Sequence, residues 1–426
     1  MVWPYARVAC VGVFSGALSV TANAVEFDYS YGVEMEYSDN VRLSSVDSQD
    51  ELERSALVGV SFVEETSTVE ADISTMLQHN NYRDETFPDE NWFYLNGDVN
   101  LTLRPRTFFW SIEDIFSQQE LDVFAPETPD NLINTNFFST GPDLVFRINP
   151  ANQVEVGARV SDFRYDQVNT DSQRASLDAA WVYRLYRGSS LSMNYGFEKA
   201  EFDELQDSDF DRQNVFIRYT SQYSRSMFEM DAGYSYVDRE SGDTLNGLLG
   251  RLQWRNQFRD QSHFELELSS QYTDTGQDLI TYDPISMSNS QINGDIFYDK
   301  RVEATYHLSY QSSTYEVLML FRDEDYEILA RDRRIKGIRL NYGHVYSTTL
   351  SMNAQVEFRT HDNIDVGQTD DRTSAVLSGV YRLSRDYTFQ LQYNYLEQKS
   401  DVSTSNYKEN RVMLSFYYGR NPRSYR

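Results

Sequence analysis

From Val25 onward, apolar and polar residues alternate with a period of two, in segments joined by short turns and longer acidic loops in strict rotation. Successive side chains of a β-strand point to opposite faces, so each such segment has one greasy face and one wet face. The first segment is the clearest. Phe27, Tyr29, Tyr31, Val33, Met35 and Tyr37 fall on one side, and Asp28, Ser30, Gly32, Glu34 and Glu36 on the other. A tilted strand needs about 9–11 residues to cross a bilayer's hydrocarbon, and this one has them. Later rows repeat the pattern: Phe228, Met230, Ala232, Tyr234 and Tyr236; Phe264, Leu266, Leu268 and Tyr272; Leu350, Met352, Ala354, Val356 and Phe358; Tyr387, Phe389, Leu391, Tyr393 and Tyr395; and finally Val412, Leu414, Phe416 and Tyr418.

Turn-forming residues mark short connections at 64–67, 104–106, 149–152, 187–189, 223–225, 259–260, 311–313, 346–348 and 384–386. Between them lie longer loops near 38–53, 80–91, 118–136, 165–172, 203–211, 239–245, 274–295, 324–334, 361–371 and 398–409. The rhythm predicts an all-β fold: a transmembrane antiparallel up-and-down β-barrel of about 20 strands, with 18–22 compatible. Closed barrels are the β structures that satisfy every backbone group in lipid. Short turns would face the periplasm and long loops the exterior, with both termini on the periplasmic side. A large soluble sandwich or propeller would also alternate. It explains neither the connection rhythm nor the strand length, and no blade repeat occurs.

The N-terminus reads as a secretory signal. Arg7 supplies the positive n-region, Val8 to Val20 the apolar stretch, and Ala22, Asn23 and Ala24 an A-x-A cleavage site. Residues 1–24 are therefore expected to be removed near Ala24, leaving one barrel domain over 25–426. The only cysteine, Cys10, would leave with the signal, and with it any disulfide or thiol chemistry. The formal charge of −28 argues against nucleic acid or anionic lipid as a partner and is compatible with a cation-preferring or neutral-sugar environment. The 31 Tyr and 25 Phe suit strands and membrane interfaces, and only 9 Pro suit long ladders.

The wet faces carry acids and bases together. The predicted pore-lining set is Glu34, Glu70, Asp72, Arg218, Glu229, Asp231, Arg251, Arg255, Glu265, Glu267, Arg301, Glu303 and Arg339. Such walls can orient permeating solutes. They can equally neutralise one another across strands and stabilise a wall that conducts nothing. The turn positions put Arg255 opposite Glu265 and Gln253 opposite Glu267, with Arg218 in reach of Glu229. The loop at 118–136 carries Phe124, Pro126, Pro129 and Asn131 and is expected to fold inward as a constriction, with Phe124 and Asn131 at its narrowing. Gly141 and Pro142 are expected to interrupt a strand.

No catalytic, metal or cofactor site is expected. Asp207, Asp209 and Asp211 open like a calcium loop, but Arg212 and Arg218 stand where Gly and Glu belong. His79, His263, His307, His344 and His361 lack metal-ligand spacing. His307 and Ser309 share a face, with no acid evident in the sequence to orient the imidazole and no G-x-S-x-G motif.

A less repetitive stretch contains Tyr37 to Asn40, Arg104 to Arg106, Trp110 to Gln118, Thr128 to Asn131 and Phe138 to Leu144. It resembles the outer-membrane barrels encoded with exopolysaccharide export and PEP-CTERM sorting systems, and the broader β-barrel porin-2 type. The resemblance spans most of the chain after residue 24 and carries over no functional residue. It implies an outer-membrane protein of a Gram-negative bacterium that supports export or surface handling of exopolysaccharide through a passive polar lumen. Outer-membrane lipid would surround it, and polysaccharide and export proteins would be its partners. A general diffusion porin and a plugged binding barrel remain the alternatives, and the oligomeric state is open. One departure is the chain end: the aromatic strand end Phe416 to Tyr418 is followed by eight more residues, including Tyr425.

Overall fold

The computed structural model describes residues 25–205, 208–242, 244–281 and 292–421. Twenty strands form one sheet that closes on itself. They are β1 (Val25–Ser38), β2 (Glu51–Glu65), β3 (Val69–Tyr82), β4 (Glu90–Arg104), β5 (Phe108–Glu120), β6 (Leu132–Asn149), β7 (Asn152–Tyr165), β8 (Ser172–Tyr186), β9 (Ser189–Phe202) and β10 (Phe210–Gln222). The second half comprises β11 (Ser226–Arg239), β12 (Thr244–Arg259), β13 (Ser262–Asp274), β14 (Ile296–Tyr310), β15 (Ser313–Tyr326), β16 (Arg333–Val345), β17 (Leu350–Asn363), β18 (Gln368–Arg382), β19 (Tyr387–Ser400) and β20 (Tyr407–Tyr418). A short helix of about two turns, α1 (Thr275–Thr281), follows β13.

Each strand pairs antiparallel with its neighbours in sequence, and β1 pairs with β20 from Tyr31 opposite Tyr418 to Ser38 opposite Arg411. That seam removes the last free edge, as a bilayer requires. The turn at Gly188 needs its glycine: φ is +88°, and a Cβ would lie 2.4 Å from the Gln222 carbonyl oxygen.

The apolar rows lie outside. Phe27, Met193 and Leu248 expose 60%, 58% and 70% of their surface. A soluble monomer does not expose apolar surface on that scale, so this face is lipid-facing. Tyrosines gather where the wall meets the periplasmic interface. Tyr418 stacks on Tyr31 at 4.8 Å, and the Tyr186 hydroxyl lies 3.1 Å from that of Tyr223. Tyr418 thus closes the described barrel; Tyr425 and the predicted signal lie outside the described residues.

One expectation is corrected. β6 runs unbroken through Gly141 and Pro142, which pair with Ser111 and Trp110 of β5. Only the ladder to β7 lapses, between Thr140 opposite Val160 and Asp143 opposite Gly157. Proline has no N–H to donate there. Arg159 takes up the carbonyls instead, donating from Nη1 to Pro142 at 3.2 Å and to Ala158 at 2.9 Å, while Nη2 meets Asp143 at 2.6 Å. Gly141 permits the close approach, since a Cβ would lie 1.9 Å from the Ala158 carbonyl oxygen.

Candidate functional site in the barrel lumen

The alternation that greases the outside sends the polar rows inward, and the register sets which charges meet. Arg255 faces Glu265 at 2.6 Å, and Gln253 faces Glu267 at 3.5 Å. Arg218 lies 3.2 Å from Glu229 and makes two hydrogen bonds to Asp231, at 2.7 and 2.8 Å. Asp231 is buried and also has Arg251 Nε at 3.4 Å. The Phe216 ring lies between these two guanidiniums, 5.5 Å from Arg218 and 5.2 Å from Arg251. Arg301 meets Glu303 at 2.9 Å, and Glu303 stands opposite Glu267. Arg339 holds Glu357 at 2.7 Å.

The remaining members of the predicted set lie apart from these pairs. Glu70 and Asp72 face open water near the periplasmic end, Asp72 opposite Asp98. Glu34 is buried, accepting hydrogen bonds from the hydroxyls of Tyr417 and Ser415.

A second set of charges, absent from the predicted pore lining, gathers in the extracellular half. Arg174 meets Glu198 at 3.0 Å and Asp274 at 2.6 Å, and Arg212 pairs with the same two acids. Arg322 meets Asp278 at 2.8 Å, Asp299 at 2.6 Å and Glu324 at 3.1 Å; Arg333 shares Glu324 at 2.8 Å. Asp274 ends β13 and Asp278 lies in α1, so the start of the β13–β14 connection turns into the lumen and ties β8 to β15. Gln277 of α1 borders a recess of about 820 Å³ whose wall includes Arg159, Asp178, Asn214, Phe216, Arg218 and Arg251.

The loop at 121–131 also crosses the mouth. Its tip residue Glu127 pairs with Arg372 of β18 at 2.7 Å. Beneath it lies a recess of about 350 Å³ bordered by Glu36, Glu53, Gln78, Gln390 and Arg411. Half of the Glu127 side chain is covered by protein, and that partial burial pushes its carboxyl up. The Arg372 guanidinium, with Arg411 and Arg359 behind it, outweighs that and holds it below the usual carboxylate range.

The two residues expected at the narrowing have other tasks. Phe124 lies under Arg331, whose guanidinium is 5.6 Å from its ring. Asn131 is a clip: its side chain accepts from the Asp122 N–H at 2.9 Å and donates to the carbonyls of Asp122 and Pro126. It shapes the loop, and the residue that reaches the opposite wall is Glu127.

The structure supplies an acid beside His307 that the sequence did not reveal. His307 Nε2 lies 3.1 Å from Ser309 Oγ, and its Nδ1 lies 3.7 Å from Glu316. The Ser309 N–H is spent on the Gln261 carbonyl, and β14 is paired on both sides, so no free backbone donors converge there for an oxyanion. The acidic triplet also disperses. Asp209 accepts the Phe202 N–H at 2.6 Å, Asp211 lies within β10, and Asp207 falls outside the described residues. Among the described residues no group of three His, Cys, Asp or Glu side chains is placed to hold a metal ion.

Residues 336–418, which span most of β16 and all of β17 to β20, match the family model described as "Putative beta-barrel porin 2". No curated protein matches the chain. Among solved structures it is similar to OccK2 (OpdF) of Pseudomonas aeruginosa in complex with glucuronate, at 10% identity and a TM-score of 0.42, covering 93% of this chain and 99% of that one. It is also similar to the siderophore receptor PirA of the same organism, at 9% identity and a TM-score of 0.47, covering 92% and 80%. A third is a loop L8 deletion mutant of OmpT, an outer membrane protein of Vibrio cholerae, at 9% identity and a TM-score of 0.38, covering 93% and 99%.

Proposed function

Starting from a porin-like β-barrel of the Gram-negative outer membrane, with lipid around it and polar rows within, we propose that the chain is a passive channel for small hydrophilic solutes. The observation that carries this reading is the lumen wall: charged pairs wetted in the periplasmic half, under a mouth narrowed by α1 and the 121–131 loop. The larger recess, about 820 Å³, falls in the range of small-molecule sites, roughly 300–1,000 Å³. Export of a polymer, as the family resemblance implies, needs a continuous opening, and the contacts of Glu127 and Asp278 would first have to break. The solutes move by diffusion, and the protein provides the lined path with no cofactor.

The buried network of Arg174, Arg322 and their acids favours a second reading, a plugged barrel whose loops bind a partner. Single-channel recording of the refolded chain in a planar bilayer separates the two. The channel reading expects stable conductance steps that grow by at least about twofold when residues 121–131 are replaced by a short Gly-Ser turn. Protein shown to be folded and inserted, yet silent, selects the plugged barrel.

A further inference from the structure

Arg359 of β17 and Arg372 of β18 stand directly opposite each other in the ladder, both facing the lumen. Two like charges in that position repel, so such a step calls for an anion. The wall provides little. Glu357 is already shared between Arg339 at 2.7 Å and Arg359 at 2.5 Å. The acid within ion-pair distance of Arg372 comes from outside the wall, as Glu127 at the tip of the 121–131 loop. Beside this pair, His361 Nε2 is sealed from water without a hydrogen-bond partner among the described residues.

The loop has its own framework, built on Asn131, and does not need Arg372 to hold its shape. Its base packs through Leu121 on the buried cluster around Ile133 and Ile292, and Phe124 lies against Arg331. Its ion pairs to neighbouring loops are longer than the one at the tip, Asp122 to Arg331 at 3.9 Å and Asp130 to Arg42 at 4.0 Å, with exposed or half-exposed side chains. Glu127 itself keeps half of its side-chain surface in water. A water-accessible carboxylate held by one guanidinium can be exchanged for another carboxylate, because the planar fork of arginine fits either equally.

We propose that Arg372, with Arg359 beside it, is a binding site for the carboxylate of a small anionic solute. Glu127 occupies that site as an internal stand-in when no solute is bound. A solute carboxylate that takes Arg372 frees the loop tip, so binding and widening of the mouth are one event. The inference rests on the lumen being the solute path and names the class of solute it favours.

The test uses the full chain refolded in detergent, with galacturonate as probe and galactose as the neutral control of the same ring. Titration calorimetry is run on the wild type, E127Q and E127Q/R372Q, with circular dichroism confirming the barrel in each. Removing the competing charge should tighten galacturonate binding by about tenfold in E127Q. The double variant should bind galacturonate no better than galactose. Equal affinity in the wild type and E127Q would overturn the proposal, as would galacturonate binding that survives R372Q. If the double variant does not fold, E127Q/R372K replaces it: a lysine keeps the charge but loses the fork, so affinity at least severalfold below E127Q is expected, and undiminished affinity would overturn the proposal. Bilayer conductance of the same samples keeps the two readings apart. Binding without conductance sinks the channel and spares the site; conductance without carboxylate-dependent binding does the reverse.

Discussion

The two halves of the lumen use the same side chains to opposite ends. In the extracellular half, the Arg322 side chain is 1% exposed and touches three carboxylates; in the periplasmic half, Arg255 is 64% exposed and touches Glu265. Both arose from one rule, an inward row on an alternating strand. What differs is what lies above them. The start of the β13–β14 connection turns inward over Arg322, whereas a two-residue turn leaves Arg255 in water. A charge removed from water is costly unless it is fully paired, so the upper network is committed structure. A charge left in water is worth little as a brace and stays available to whatever passes.

The contrast breaks most readily at Arg322. Replacing it with Met keeps much of the volume but leaves Asp278, Asp299 and Glu324 without their shared cation, apart from the contact of Glu324 with Arg333. A loss of about 3–5 kcal/mol is expected, the usual cost of stripping one partner from a buried pair. Urea unfolding from lipid bilayers would measure it, and α1 should become open to protease. A loss below about 1 kcal/mol would show that the upper half is as wet as the lower.

The barrel itself was legible because its signal is local and repeated. Each row from Phe27 to Tyr37 onward declares its own face, and register follows once a turn is placed, so Arg255 could be set opposite Glu265 from sequence. The upper network was not legible, for two physical reasons. Arg174, Arg212 and Arg333 sit within the first three residues of their strands, next to loops, where alternation alone cannot say where the strand begins. Their partners Asp274 and Asp278 lie where the chain leaves the wall, and no pattern marks a loop that turns inward. The constriction loop shows the same limit on a smaller scale. Its prolines and Asn131 suggested a shaped loop, but the contact across the mouth is one glutamate meeting one arginine 245 positions away. The pairing with Arg372 is a product of closure, which sets strands far apart in sequence around one opening.

The mouth lies between these extremes, and acid probes it. The Glu127 carboxyl is held below the ordinary range, about 4.3 for glutamate. A depressed carboxylate contributes fully above its ordinary pKa, and the contribution fades as pH falls through the lower, folded value. The part of the conductance that depends on Glu127, read as the difference between wild type and E127Q, should therefore hold steady from neutral pH to about pH 5 and change only below about pH 4. The E127Q channel should lack that acid step. A step already present at about pH 6 would assign the gate to a different group.

The smallest effect belongs to Arg255. Its pair with Glu265 is short, but one partner is mostly in water and the other about a quarter exposed. Solvent offers Arg255 nearly what Glu265 does, so R255M should cost less than about 1 kcal/mol in urea unfolding. Its charge would instead be missed by ions. Removing one base from a wetted wall that also carries Glu265, Glu267 and Glu303 makes that wall more acidic. The reversal potential under a salt gradient should therefore move toward cation preference, with no change in stability beyond that bound. A variant that lost stability like R322M while keeping its selectivity would place Arg255 in a dry wall, and the lower half would then be a continuation of the upper one.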